Sequence, residues 1–246
     1  MKNRPFVLFL LCALALTIIS VPVQAQDISI SLGDEGSIAA RSVQLLVLIT
    51  ILSVVPGLAI MITCFPFIVT VLAILRQAIG LQQSPPNMLI VSLALFLTYF
   101  IMEPVFTQAW VSGIEPLINN QITVEQSFVK SIFPFREFMS NRIDPDTFES
   151  LASLRPDAVL NVDISEQPLS LVVPSFLLSE IERAFEIGFL IFLPFLIIDL
   201  VVAAILMSMG MMMVPPAIVS LPFKLAFFVV ADGWTLISGA LVRSYF

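Results

Sequence analysis

Residues 187–216 read IGFLIFLPFLIIDLVVAAILMSMGMMMVPP, and this stretch decides the fold. From Ile187 to Met207 a single charge, Asp199, and a single proline, Pro194, interrupt an apolar run. About 20 such residues are what a helix needs to cross the hydrocarbon of a bilayer, so the run predicts a membrane helix. The next segment, Ser208 to Pro216, carries no charge. Five methionines (Met207, Met209, Met211, Met212 and Met213) fall within seven residues, broken by Gly210 and followed by Pro215-Pro216. Glycine supplies backbone freedom and a diproline blocks helical continuation, so the chain reverses here. Ala217 to Val242 then returns as a last apolar helix, marked by Pro222, Lys224 and Asp232-Gly233-Trp234.

Surface loops are normally polar, and this one offers only flexible, polarizable thioethers. Two readings stand side by side. One is a buried connector between membrane helices. The other is a compliant constriction that excludes water and ions when several copies surround an axis, in the way hydrophobic constrictions gate by dewetting.

The whole composition agrees with a membrane setting. Of 246 residues 59% are hydrophobic and 12% charged, with a mean hydropathy of +1.04; soluble domains rarely exceed about half apolar residues. The formal charge of −7 argues against nucleic acid, since phosphate contacts need a basic surface. The chain has no histidine, which removes His-based triads, His metal sites and the usual neutral-pH proton shuttle.

At the N-terminus, Lys2 and Arg4 precede an apolar run from Phe6 to Val21, and Val23 and Ala25 suit a cleavage site before Gln26. Residues 1–25 are therefore expected to be a signal peptide and 26–246 a single domain. Cleavage would leave Cys64 as the only thiol, excluding an internal disulfide and a cysteine metal cluster. Val43 to Leu75 runs 33 residues without a charge, too long for one simple span and interrupted by Pro56-Gly57 and Pro66. A kinked or broken helix pair is expected. Residues 76–87 form a turn, and Met88 to Met102 a further apolar helix stopped near Glu103-Pro104. Glu103 to Glu186 holds 13 acidic and 5 basic residues and reads as a water-exposed, partly helical segment.

The fold expected is thus all-α: a first helical hairpin at 43–111, an acidic segment at 112–186, and a second hairpin at 187–246. A cleaved signal puts Gln26 and the acidic segment outside, the Arg76 turn and the methionine turn in the cytoplasm, and Phe246 outside. Only Arg76 is available to the positive-inside rule.

Asp199, Lys224 and Asp232 are the ionisable residues of the second hairpin. A charge at the bilayer centre costs about 2.5–3.5 kcal/mol and needs a partner or water. A structural Asp–Lys pair, a proton or ion relay, and an aspartyl protease using both aspartates are the three readings. No Gly-x-Gly-Asp arrangement supports the last. A secondary transporter coupled through Asp199 and Lys224 is the functional alternative that follows from the second.

Several blocks carry a resemblance: Leu75-Arg76-Gln77-Ala78-Ile79-Gly80 with Ser84-Pro85-Pro86-Asn87, Leu93 to Thr98, Arg136-Glu137-Phe138-Met139, and Pro174 to Glu180. Ala184 to Phe189, Phe195 to Val201, Gly210 to Pro216, Leu221 to Lys224 and Asp232-Gly233-Trp234 continue it. In these blocks the chain resembles the FliP/SctR family of type III secretion export gates, with the flagellar branch the nearer, from Ser42 to the C-terminus. The resemblance implies a non-enzymatic, cofactor-free component of a pentameric ring that conducts exported flagellar proteins and works with FliQ, FliR and FlhB type proteins. It implies a site in the bacterial inner membrane within the flagellar basal body, while the expectation that both mature termini are periplasmic rests on the cleaved signal. It further implies a cone of hairpins held largely above the inner membrane, a gate of Met211, Met212 and Met213 with Met209 added, hinges at Gly210, Pro215 and Pro216, and subunit assembly through Phe138 and Glu180. Family members usually carry Thr-Arg where this chain has Pro66-Phe67. Energy for transport would come from elsewhere, since the chain has no phosphate-binding loop.

Overall fold

The computed structural model describes residues 38–81, 84–155, 163–211 and 213–246. The expected signal peptide, residues 1–25, and Met212 lie outside them. The described residues contain helices and no strand. Among the described residues the chain divides between Thr50 and Ile51 into two units; the packing below is that of the second.

Helix α1 spans Ile38–Met61 and runs through Pro56 without a break. No residue of Arg41–Met61 is buried. The break expected in this long apolar run falls instead at residues 62–64. There Thr63 Oγ1 donates to the Ile60 carbonyl at 2.7 Å and so competes with the helical ladder. Helix α2, Phe65–Ile79, starts with Pro66 in its first turn, where the missing N–H costs nothing. It ends at Gly80, whose φ of +87° closes the last turn through an N–H bond to the Gln77 carbonyl.

Helix α2 is the axis of the core. Phe67, Ile68, Val71, Leu72, Leu75, Ala78 and Ile79 are all buried, a helical stripe that meets three neighbours. Helix α3, Asn87–Ala109, returns antiparallel to it, tied at the turn by Arg76, which donates to Asn87 Oδ1 and to the Pro85 carbonyl at 3.5 Å. Helix α7, Leu169–Ser208, runs parallel to α2. Gly188 lets the two approach, since a Cβ there would lie 2.4 Å from Ile74 Cδ1.

Three element boundaries differ from the sequence reading. Helix α3 passes through Pro104, continues into a π turn at Trp110–Ile114 and ends with the short α4, Glu115–Ile118. Proline removes one donor and need not end a helix whose neighbours re-satisfy the freed groups. Helix α7 is 40 residues long and starts at Leu169, inside the stretch read as an exposed acidic segment. The last apolar run is two helices, α8 at Pro216–Val230 and α9 at Gly233–Arg243, bent by 61° where Asp232 takes a left-handed conformation with φ of +48°.

Between α4 and α7 lie α5, Val124–Ser140, and α6, Pro145–Ala152. Thr123 and Gln126 form a reciprocal capping box at 3.3 Å for α5, and Asp144 caps α6 by accepting from Thr147 N at 3.0 Å. Helix α5 packs back against α3 and the π turn. A second apolar cluster of Met139, Ile143, Phe148, Ala152, Leu171, Val172 and Phe176 joins α5, α6 and the first turns of α7. Phe138 touches both clusters.

Candidate functional site: a methionine turn and two ion pairs

The methionine turn is built by the ending of α7. Gly210 N donates to the Met207 carbonyl and Met211 N to the Leu206 carbonyl, each at 3.0 Å. With φ of +75° at Gly210, this is the paired bond pattern that closes a helix through a left-handed residue. Val214 N reaches the Met211 carbonyl at 3.4 Å, and Pro215 and Pro216 lead into α8, Pro216 being its first residue. An added Cβ at Gly210 would meet nothing within 4 Å, so the glycine serves backbone conformation, not packing.

The thioethers project from this turn. Met207, Met209 and Met213 are 64%, 65% and 96% exposed, and Met211 is 37% exposed. Below the turn lies an apolar groove of about 500 Å³, lined by Ile198, Val202 and Leu206 from α7, by Met209 just past its end, and by Val219 and Phe223 from α8. Within one chain the described methionines of the turn are exposed.

Farther down the same helix pair, Lys224 Nζ lies 2.6 Å from Asp199 Oδ2 and donates to the Ala78 carbonyl at 3.2 Å. Ser220 Oγ donates to the other carboxylate oxygen at 2.5 Å. The lysine is buried, with 6% of its side chain exposed, whereas Asp199 is 36% exposed. Three helices are thus joined by one ion pair, and a lysine fills the role of a cation at the C-terminal end of α2. Asp232 is not part of it. It is exposed at the α8–α9 break and accepts from Thr235 Oγ1 at 3.2 Å. The three-residue grouping is therefore reduced to Asp199 and Lys224, with Ser220 added. The short polar offset from Ser220 to Lys224 was the available signal for that serine.

Glu180 and Phe138, expected to hold subunits together, are engaged inside the chain. Glu180 is fully buried. Arg142 Nε donates to its Oε1 at 2.9 Å, the Tyr245 hydroxyl donates to Oε2, and Arg142 Nη1 donates to the Ser244 carbonyl at 2.9 Å. The guanidinium lies 4.1 Å from the Tyr245 ring centre and 5.9 Å from that of Phe67. Phe138 stacks on Tyr245 and meets Phe176 edge-on. Phe67, at the place where the resembling family carries arginine, is fully buried with its ring edge-on to Tyr245. Burial, and then the Glu180 carboxylate, push the Tyr245 phenol well above its ordinary range. Burial first, with Glu180 adding to it, pushes the Cys64 thiol up to about 12.

Arg142 and Tyr245 escaped sequence reasoning. A carboxylate inside a long apolar helix announces that a cation must exist, but its partner stands 38 residues away, where no helical spacing points to it.

Three helices of the described residues are long and apolar enough to cross a membrane: Arg41–Met61, Asn87–Ile118 and Leu169–Ser208. A fourth span results if the bent pair α8–α9 is counted as one. This makes the protein a multi-spanning helical membrane protein with two ion pairs between its segments and exposed methionines at the turn. The chain belongs to the FliP family, whose profile matches residues 48–241. It is 47% identical over 244 residues to the flagellar biosynthetic protein FliP of Caulobacter vibrioides, covering 99% of this chain and 91% of that one. To the proteins of the same name from Bacillus subtilis and Aquifex aeolicus it is 45% identical. Those matches cover 84% and 90% of this chain, and 93% and 92% of the relatives.

Proposed function

We propose that this protein is a pore-forming component of the flagellar type III export apparatus and that its methionine turn closes the channel. It acts in the bacterial inner membrane, as a structural part of a transport machine and not as an enzyme. The observation that carries the reading is the turn itself: four thioethers on an uncharged tip, with Met213 96% exposed. A lone chain gains nothing from presenting this surface to water. Several copies meeting around an axis bury it, and a ring of flexible thioethers conforms to a passing chain and re-closes behind it.

In this reading the second helical hairpin forms the staves of a homo-oligomeric ring, a pentamer by family resemblance, and the acidic segment with both mature termini lies on the periplasmic side. FliQ, FliR and FlhB type proteins complete the gate, and exported flagellar proteins pass through it. Gly210, Pro215 and Pro216 set the shape of the turn. Phe138 and Glu180 act on assembly through the conformation of their own chain, since Glu180 has no surface to offer a neighbour. Asp199 already has Lys224 and Ser220 on its two oxygens, so this pair serves as a structural tie.

The test replaces Met211, Met212 and Met213 together by alanine in cells that assemble the full complex. Ion leakage across the inner membrane should rise while the ring stays intact. Unchanged conductance with normal assembly would refute the gate.

A further inference from the structure

The environment of Glu180 points to a device beyond the methionine gate and independent of it. Four segments far apart in the chain converge on one carboxylate that has no access to solvent. Glu180 comes from α7, and Arg142 from the connection between α5 and α6. Tyr245 and the Ser244 carbonyl come from the segment after α9, and Phe67 from the first turn of α2. Arg142 is the hub: its Nε serves Glu180 while its Nη1 serves the Ser244 carbonyl. Tyr245 closes the same group from the other side, with its hydroxyl on Glu180 and its ring between Phe67 and Phe138.

This convergence falls at the seam of the two apolar clusters. Tyr245 packs on the first, and Phe138, beneath it, on both. The α5–α6 connection is fixed to α7 a second time by Asp144 N, which donates to Ser179 Oγ at 2.9 Å. Without residues 244–245, Glu180 would lose one of its two partners, leaving a buried carboxylate oxygen unpaired, and Arg142 would lose its exposed bond to the Ser244 carbonyl.

We propose that Ser244-Tyr245 is a strap that locks the seam between the two cores by closing over the Arg142–Glu180 pair. With the strap closed, α5, α6 and the first half of α7 move as one body with the helices around α2. With it open, the pair is half-satisfied and the seam is free to part. The strap adds to the ties that hold the α5–α6 segment, beside the packing of α5 on α3 and the bond from Asp144 N to Ser179 Oγ.

Cys64 is a built-in reporter. Its thiol is fully buried and close enough to Glu180, Arg142 and Tyr245 to feel their charges. Buried in this way it is unreactive, and opening the strap makes it accessible. The experiment uses the full chain in detergent with Cys12→Ser, so that Cys64 is the only thiol, and follows its labelling by a maleimide. Arg142→Lys keeps the charge but loses the fork that serves two acceptors at once, and Tyr245→Phe keeps the ring but loses the hydroxyl. Each should speed labelling by about tenfold or more, the shift in open population expected when a charge-assisted hydrogen bond is removed. The double variant should label faster than either single but by less than the product of their effects, because both bonds end on Glu180 and the loss of one weakens the other. Arg243→Ala, an exposed change on α9 beside the strap, should label as the parent does.

Parental rates in both single variants would overturn the proposal. So would multiplying rates in the double variant, or an equal acceleration by Arg243→Ala, since either would mean general loosening. A second measurement needs no variant. In the unsubstituted protein the amides of Asp144 and Tyr245 should exchange through one shared opening, and independent exchange would overturn the strap.

Discussion

Gly113 in the π turn carries the sharpest test of how the acidic segment is seated on the apolar bundle. A Cβ built there would lie 2.0 Å from Ser131 Oγ, 2.8 Å from Ser131 N and 2.9 Å from the Ser127 carbonyl oxygen. The last two are backbone atoms of α5, so no rotamer change relieves them. Gly113→Ala must push α5 away by roughly half an ångström or more, because ordinary Cβ contacts begin near 3.4 Å. The push also stretches the buried bond from Ser127 Oγ to the Gly113 carbonyl, now 2.9 Å. Overpacking costs about 1–3 kcal/mol and a lost hydrogen bond about 0.5–1.5 kcal/mol, so a loss of about 2–4 kcal/mol is expected. Reversible denaturation in detergent measures it. Ser131→Gly in the same chain removes only the 2.0 Å contact and should restore less than half of the loss. Gly188 supplies the contrast. The three atoms nearest its added Cβ all belong to the Ile74 side chain, at 2.4–3.3 Å, so Ile74→Ala should restore most of what Gly188→Ala loses. Full rescue of Gly113→Ala by Ser131→Gly, or parental stability of Gly113→Ala alone, would refute the packing argument.

Two other outcomes follow from the second hairpin. Asp199→Asn strands a buried lysine and should cost up to about 3–5 kcal/mol, whereas Asp199→Asn with Lys224→Met should recover at least half of that; denaturation of the two variants compares them, and an additive loss would count against a direct pair. Gly210→Val forces a β-branched residue into a left-handed turn with open space around it. It should destabilise the chain by about 1–2 kcal/mol through backbone strain alone, read as a lower melting temperature with unchanged helical content.

How much was legible depends on range. Helical membrane character follows from local composition, and so does the reversal at Gly210 to Pro216, because a glycine and a diproline act on their own turn. Element ends were less legible. Pro104 looked like a stop and is passed by, since whether a proline ends a helix depends on what re-satisfies the freed carbonyl. The charges from Glu180 to Glu186 looked like solvent-exposed chain, yet α7 runs through them, and Glu180 is buried because Arg142 folds onto it.

By itself the sequence determined the helical membrane class, the uncharged methionine turn, its glycine and proline ends, and the blocks that relate the chain to its family. Those properties reside in residues adjacent in the chain or one helical turn apart. Only the tertiary structure decided that Lys224 pairs with Asp199 and not Asp232, that Glu180 belongs to the interior, and that Ser244-Tyr245 lies over the seam of two cores. Each of these depends on groups tens of residues apart finding one another in a medium that charges enter only in company. Local pattern shows that a buried charge needs a partner, and only packing selects which.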